Sequence, residues 1–253
     1  MNTRVKYYLS EFTGTFLFML NGISAISLNF GTRVMQEAIT SSSLRLLLTG
    51  VLFAGGATLI VYSPIGRISG SHLNPAISLS FFLEGKLKGL DLFMFSLMQI
   101  AGSIAAALIS LLLWSESARA VNVGMTLPGS GHSIFFVFFV EVFATFLLVS
   151  LVFFFLHRKT LTKFTGLAAG SLVAIIVFLT VPISGTGLNP ARSIGPAVVA
   201  LNFSYLWLYI AAPLLGGLIA VTIHKALPFL HPPLCAKLNH QEHDDCLFNC
   251  EFK

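Results

Sequence analysis

Long apolar stretches alternate with short polar segments along almost the whole chain. Six stretches are long enough to cross a bilayer, because a spanning helix needs about 20 mostly apolar residues. Their approximate bounds are 8–30, 44–63, 90–113, 133–156, 164–182 and 204–226. Only 10% of the residues are charged and 55% are hydrophobic, whereas a soluble domain carries about 25% charged residues. The pattern therefore predicts an all-α integral membrane protein with six transmembrane helices.

Two further apolar runs are too short to span, and each follows the same tripeptide. The tripeptides are Asn74-Pro75-Ala76 and Asn189-Pro190-Ala191, each preceded by a loop that contains glycine. Asn is a favoured helix N-cap, and Pro is favoured at the first helical position. A helix of about 10 residues is about 15 Å long, half of a ~30 Å hydrocarbon core. We therefore predict two re-entrant half-helices that enter from opposite faces and meet at the midplane.

A second repeated pattern divides the chain into two halves. Glu11-Phe12-Thr13-Gly14-Thr15-Phe16 in the first apolar stretch matches Glu141-Val142-Phe143-Ala144-Thr145-Phe146 in the fourth. Each half then contains three spans and one half-helix, and an odd number of spans gives the halves opposite orientations. This is an inverted repeat. We predict repeat one at about 5–113, a linker at about 114–132 and repeat two at about 133–226, within a membrane domain of 1–230.

The basic residues are unevenly distributed between the two sides of the predicted bundle. Eleven of the 15 Lys and Arg residues lie on the side of both chain ends; the other side has only Arg33, Arg45, Arg119 and Arg192. The positive-inside rule then places both termini in the cytoplasm of a multi-pass protein of the plasma or inner membrane. Because topology explains the +5 net charge, we expect no nucleic-acid partner.

All three cysteines lie in the segment 231–253, which we predict to be a polar cytoplasmic tail. In the reducing cytoplasm, structural disulfides are not expected. Together with His231, His240 and His243, the residues Cys235, Cys246 and Cys250 have the chemistry to hold a metal. Their spacing matches no standard zinc pattern. We therefore predict a mobile tail, with no metal and no cofactor.

Backbone outside a helix is tolerated at membrane depth only where it is buried or lines a water-filled cavity. The carbonyls of the two loops that precede the half-helices are therefore predicted to line a pore. The predicted lining residues are Gly70, Ser71, His72, Leu73, Gly185, Gly187 and Leu188. At the midplane, the amides of Asn74 and Asn189 can donate to a passing water. The positive ends of both half-helix dipoles oppose a cation there.

These motifs make residues 5–226 resemble the aquaporin, or major intrinsic protein, family. Two Asn-Pro-Ala motifs in an inverted repeat, with Arg192 directly after the second motif only, carry the resemblance. The resemblance implies a right-handed bundle, assembled as a homotetramer with one pore per subunit. It also makes Glu11 and Glu141 structural supports that accept hydrogen bonds from the pore loops.

The resemblance further implies the residues of a selectivity filter. Arg192 matches the filter arginine, Thr186 matches the position three residues before the second Asn, and Val177 matches the fifth-helix position. The second-helix position is Ala54 if the following loop has no extra residue, and Phe53 if it has one. Strict water channels of this family carry His where this chain has Val177, which indicates a wider filter. Three other residues instead resemble water channels: Ser193, Ala197 and Tyr209.

The sequence therefore predicts a passive channel for water, extending to small neutral solutes such as glycerol, urea or ammonia, that excludes protons and ions. Its partners are these solutes and the lipid bilayer. One alternative is a small-solute facilitator for which water is secondary. A less favoured alternative is an inverted-repeat transporter, which would need ion-coordinating carboxylates that neither Asn-Pro-Ala region has. No enzyme is predicted, because the chain lacks His-Glu-x-x-His, Gly-x-Ser-x-Gly and an intramembrane cysteine.

Overall fold

The computed structural model describes residues 3–227, 232–241 and 246–252, and within these residues the regular secondary structure is helical. A π-helical turn at Ser27–Gly31 extends the first helix, and a 3₁₀ turn covers Asn122–Gly124. The α-helices are α1 (Thr3–Ile26), α2 (Arg33–Ala38), α3 (Ser42–Tyr62), α4 (Pro64–Ser69), α5 (Pro75–Leu83), α6 (Gly89–Trp114), α7 (Glu116–Ala120), α8 (Ile134–Leu156), α9 (Lys159–Thr162), α10 (Thr165–Ser184), α11 (Pro190–Val199) and α12 (Leu206–Ala226).

The six predicted spans are confirmed as α1, α3, α6, α8, α10 and α12, each long and apolar enough to cross a membrane. Large apolar side chains cover their outer surfaces; Phe135, Leu112 and Leu59 are between 74% and 80% exposed. Such surfaces are stable only against lipid or another apolar partner.

The first helix begins earlier than predicted, at Thr3, because its first turns are tied to α6. Tyr8 donates to Asp91 Oδ1 at 2.6 Å, and Arg4 forms an ion pair with the same carboxylate.

The packing of the spans repeats between the two halves. In the first half α1 packs against α6 and α3, and in the second half α8 packs against α12 and α10 in the same way. The halves join where α3 meets α10. The same pairing of helices in both halves is the packing of an inverted repeat.

The half-helices α5 and α11 lock the two halves together. Each packs against the last span of both halves, α6 and α12. Their lengths of 9 and 10 residues correspond to about half of the hydrocarbon core. Both predicted half-helices are therefore confirmed.

Two glycines allow close approach to the backbone of a neighbouring span at matching places in the repeat. A Cβ at Gly102 of α6 would lie 2.5 Å from the Phe12 carbonyl oxygen of α1, and one at Gly216 of α12 would lie 2.4 Å from the Val142 carbonyl oxygen of α8. In lipid, helix association depends on such contacts, because small residues bring backbones together.

The prediction of a mobile polar tail is wrong for residues 232–241 and 246–252. Cys235, Ala236, Lys237 and Phe248 in these segments are at most 9% exposed. Backbone hydrogen bonds fix both segments: Leu234 N donates to Leu156 O at 2.9 Å, and Asn249 N donates to Lys86 O at 3.2 Å. His231 and His243 lie outside the described residues.

We expect Gly216→Val to lower the apparent Tm of the detergent-solubilised protein by several degrees. The new side chain meets backbone that cannot rotate away, and overpacking of this kind costs about 1–3 kcal/mol or more. Gly55→Val is the matched control, because a Cβ at Gly55 meets nothing within 4 Å. Equal Tm shifts for the two variants would contradict the close α8–α12 contact.

Candidate functional site

The two half-helices begin with the same capping geometry. Asn74 Oδ1 accepts from Ala76 N at 2.8 Å, and Asn189 Oδ1 accepts from Ala191 N at 2.9 Å. Both Asn residues have extended backbones, and Pro75 and Pro190 occupy the first helical position. The amide oxygen of each Asn is therefore fixed by its own helix, which turns its Nδ2 group away from that helix.

Each Asn amide also crosses to the opposite half of the molecule. Asn74 Nδ2 donates to Leu188 O at 2.9 Å, and Asn189 Nδ2 donates to Leu73 O at 2.7 Å. This pairing holds the two half-helix starts side by side. An amide NH₂ group has two donors, so one donor of each Asn is used by the scaffold and one remains for a solute.

Two buried carboxylates support the loops that lead to these Asn residues. Glu11 accepts from His72 N at 3.0 Å and from Leu73 N at 2.8 Å. Glu141 accepts from Gly187 N and Leu188 N, both at 2.8 Å. The placement agrees with the supporting role predicted for both residues. Because the loop N–H groups are bound to the carboxylates, the loop carbonyls face away from the carboxylates.

The supported loops have an unusual backbone, and it is the same in both halves. Ser71 and Leu73 have φ values of +57° and +52°, and Thr186 and Leu188 have φ values of +54° and +57°. Residues with a Cβ rarely adopt this left-handed region, and such strain concentrates at functional sites. Gly70 and Gly185, directly before these residues, also have positive φ values, of +94° and +71°, so the two loops share one backbone pattern.

A cavity of about 280 Å³ passes between the half-helices. A cavity of this size has room for several waters. The predicted residues that line it are Phe53, Ala54, Ser71, His72, Leu73, Asn74, Val177, Gly185, Thr186, Gly187, Leu188, Asn189 and Arg192. Pro75, Ala76, Pro190 and Ala191 are buried behind this lining and serve to start the helices.

Gly70 departs from the prediction, since it does not line the cavity. Its carbonyl oxygen accepts from Leu238 N of the tail at 3.1 Å. A Cβ at Gly70 would also lie 2.7 Å from Lys237 Cα. The tail therefore occupies the place where this part of the loop was expected to meet water.

Arg192 lies at the end of the cavity away from the tail. Its Nη1 donates to Gly124 O at 2.7 Å, and its Cζ lies 5.4 Å from the centre of the Phe53 ring. Phe53 packs edge-on against Phe18, with ring centres 4.9 Å apart. A carbonyl on one side and an aromatic face on the other hold the guanidinium in place.

The other predicted filter positions line the same cavity. Both alternatives for the second-helix position, Phe53 and Ala54, line the cavity, and Phe53 is the one that contacts Arg192. The Thr186 hydroxyl is paired with Thr180 Oγ1 at 2.6 Å. Val177 contributes only methyl groups to this wall. The predicted filter positions thus contribute one cation, apolar side chains and one hydroxyl to the cavity wall.

His72 lies at the opposite end of the cavity, and both of its ring nitrogens have partners. Nδ1 lies 3.0 Å from Ser78 Oγ, and Nε2 lies 2.7 Å from the Ala236 carbonyl oxygen of the tail. The ring stacks between Phe81 and Phe248. His72 therefore lines the cavity as predicted, but its polar atoms are bound by protein.

Several residues of the site were missed by the sequence analysis. Ser69 and Ser184 each donate to the supporting carboxylate of their half at 2.6 Å. Both precede their Asn by five residues, and that repetition was the available signal. Gln99 donates to Glu11 Oε2 at 2.7 Å. Gly124, in the segment predicted to be a simple linker, gave no signal because its contact with Arg192 spans 68 residues of chain.

A model of the major intrinsic protein family matches residues 2–224 of the chain. The chain belongs to the major intrinsic protein family. A probable aquaporin of Arabidopsis thaliana, NIP7-1, is 33% identical over 88% of this chain and 77% of its own length. Aquaporin NIP1-4 of Oryza sativa subsp. japonica is 32% identical over 85% of this chain and 74% of its own length.

A solved structure also shares the aquaporin fold. The aquaglyceroporin from Plasmodium falciparum superposes with a TM-score of 0.73 at 22% identity, covering 88% of this chain and 96% of that one. With six apolar spanning helices, the protein is a multi-pass membrane channel for water and small solutes. It is not an enzyme.

We expect Glu141→Gln to reduce osmotic water permeability at least about tenfold. The amide would turn a donor toward the Gly187 or Leu188 N–H, and one unsatisfied buried donor costs about 1–3 kcal/mol. The measurement is stopped-flow light scattering of proteoliposomes after an osmotic step. Glu116→Gln is the control, since its carboxylate is 88% exposed. Unchanged permeability of Glu141→Gln would refute the supporting role.

Proposed function

We propose that this channel passes water in a single file between Asn74 and Asn189 and also admits small neutral solutes. The observation that carries the proposal is the reciprocal amide-to-carbonyl pairing at the two half-helix starts. It leaves one donor of each Asn free at the same point of the cavity. A water accepting from both would turn its own hydrogens outward, toward the carbonyls of either loop.

Proton exclusion follows from that orientation. A proton relay needs each water to be able to accept from its neighbour, and a water that accepts from two protein donors cannot do so. The N-terminal ends of α5 and α11 add a positive potential at the same point. Arg192 adds a full charge at one end. Cations are therefore opposed at two levels of the pore.

Secondary transport is disfavoured by the carboxylates. Neither Asp nor Glu occurs among the described residues that line the cavity. Glu11 and Glu141 lie behind the loops, and all four of their carboxylate oxygens accept hydrogen bonds. No carboxylate in the described part of the cavity is available to coordinate a coupling ion.

Solute breadth depends on Val177. A valine at this position leaves the wall wider and less polar than an imidazole would, which favours solutes with an alkyl backbone such as glycerol. Urea and ammonia are smaller and belong to the same class of uncharged permeants.

For the assembly we propose a homotetramer with one pore per subunit. For the topology we propose that both termini lie in the cytoplasm of a plasma or inner membrane, which the distribution of Lys and Arg favours.

Proteoliposomes with a pH-sensitive dye inside should show no protein-dependent acidification under a proton gradient with valinomycin present. The paired Asn donors break the relay even while water flows. Protein-free vesicles give the background, and gramicidin gives the positive signal. Proton flux that grows with protein content, as water flux does, would overturn the exclusion mechanism.

Val177→His should lower glycerol and urea flux several-fold while water flux stays within a few-fold. The imidazole narrows the filter and adds a donor that suits water. Val34→His is the control, because Val34 is 74% exposed and outside the cavity. If the unchanged protein passes water but no glycerol, urea or ammonia, the inference from Val177 fails, and Ser193, Ala197 and Tyr209 are the better guides.

A further inference from the structure

The folded tail brings together four side chains that are typical zinc ligands. Cys235, His240, Cys246 and Cys250 each offer one ligand atom, and these atoms all lie within 4.8 Å of one another. Cys235 Sγ is 3.3 Å from Cys246 Sγ, and Cys250 Sγ is 3.3 Å from His240 Nε2. Cys235 and His240 are buried.

The arrangement has the size of a tetrahedral site. Four ligands about 2.3 Å from a central Zn²⁺ place neighbouring sulfur atoms about 3.8 Å apart. The two 3.3 Å separations are somewhat shorter than that value, and no separation in the set exceeds 4.8 Å. Three cysteines and one histidine form one of the usual structural zinc sets, which is closed and holds no water.

A disulfide explains the cluster less well than a metal. All three cysteines are free thiols in the structure. A disulfide would join two of them, and it would not explain why the third cysteine and His240 lie at the same place. The compartment predicted from the basic residues is also a reducing one.

A bound metal would add a further constraint to the fold of the tail. Two described segments, 232–241 and 246–252, contain no helix or strand. Segments this short cannot bury enough apolar surface to be stable alone. Contacts with the bundle hold them, among others the ion pair of Lys86 Nζ with Glu251 Oε1 at 2.6 Å and the edge-on contact of Tyr7 with Phe248. A bound metal supplies folding free energy directly.

The loop between the first two ligands covers one end of the pore. Ala236 and Leu238 lie between Cys235 and His240 in the sequence. The Ala236 carbonyl binds His72 Nε2, and Leu238 N binds the Gly70 carbonyl. The Leu238 side chain lines the cavity. The contact with His72 uses a polar group of a residue that lines the cavity.

We propose that Cys235, His240, Cys246 and Cys250 bind one Zn²⁺ ion, and that the zinc-bound tail closes the cytoplasmic mouth of the pore. Loss of the ion would release the Ala236–Leu238 loop from His72 and Gly70. Metal binding stands independently of transport, whereas the closure rests on the proposed function.

Metal binding is tested on the full-length protein purified without a histidine tag. We expect about one zinc per chain by mass spectrometry of the metal, as a single closed site requires. Replacement by Co²⁺ should give thiolate charge-transfer bands and the visible bands of tetrahedral cobalt. Cys246→Ser/Cys250→Ser should lose both signals, and His132→Ala, which removes an exposed histidine outside the tail, should keep them.

Two results would overturn the site. One is metal content in the wild type no higher than in the double serine variant. The other is a Cys235–Cys246 disulfide found by mass spectrometry in protein that was never exposed to oxidant. Either result would leave the channel function untouched.

Closure is tested by osmotic water permeability of proteoliposomes with and without a zinc chelator on both sides. We expect a several-fold rise on chelation of the wild type, and a high, chelator-insensitive permeability for Cys246→Ser/Cys250→Ser. Equal permeability of zinc-loaded and chelated wild type would overturn the closure while supporting the channel. If neither form nor the double variant conducts, the proposed pore fails, whatever the metal content shows.

Discussion

Backbone that leaves a helix inside a membrane must find partners for its N–H and C=O groups within the protein, because lipid offers none. This chain meets that constraint with one buried carboxylate per half. Glu11 and Glu141 each accept from two consecutive loop N–H groups and from a serine hydroxyl. These bonds satisfy the loop N–H groups from behind, since neither carboxylate lines the cavity. The left-handed residues, the aligned half-helices and the paired Asn amides all depend on loops held in this manner.

The supporting scaffold is symmetric, whereas the two ends of the pore are not. Arg192, which follows the second motif and has no counterpart after the first, lies at one end. The Gly124 carbonyl, from the segment between the halves, holds its guanidinium there. At the other end the tail binds His72 and Gly70. The duplicated core can thus supply a path for water. Under the proposed function, the unduplicated parts, Arg192 with Gly124 and the tail, are the ones placed to determine what enters that path.

The spans and half-helices could be predicted because their signals are local. Apolar length identifies a span, and an Asn cap followed by Pro identifies a helix start. The roles of Glu11 and Glu141 came from the family resemblance and agree with the observed geometry. The remaining features depend on contacts between residues distant in sequence. Neither the Gly124–Arg192 contact nor the covering of Gly70 by Leu238 leaves a periodicity or a motif. The tail is polar in sequence, yet Cys235, Lys237 and His240 are buried in the fold, and no periodicity in the sequence signals that burial.

The ratio of osmotic to diffusional water permeability tests the central claim most directly. Waters that cannot pass one another move as a file, so the osmotic permeability exceeds the diffusional one by about the number of waters in the file. Both permeabilities can be measured on the same proteoliposomes, with a zinc chelator present so that the tail does not decide the outcome. A cavity of about 280 Å³ between the two half-helices predicts a protein-dependent ratio of several-fold. A ratio close to unity would contradict a single file past Asn74 and Asn189.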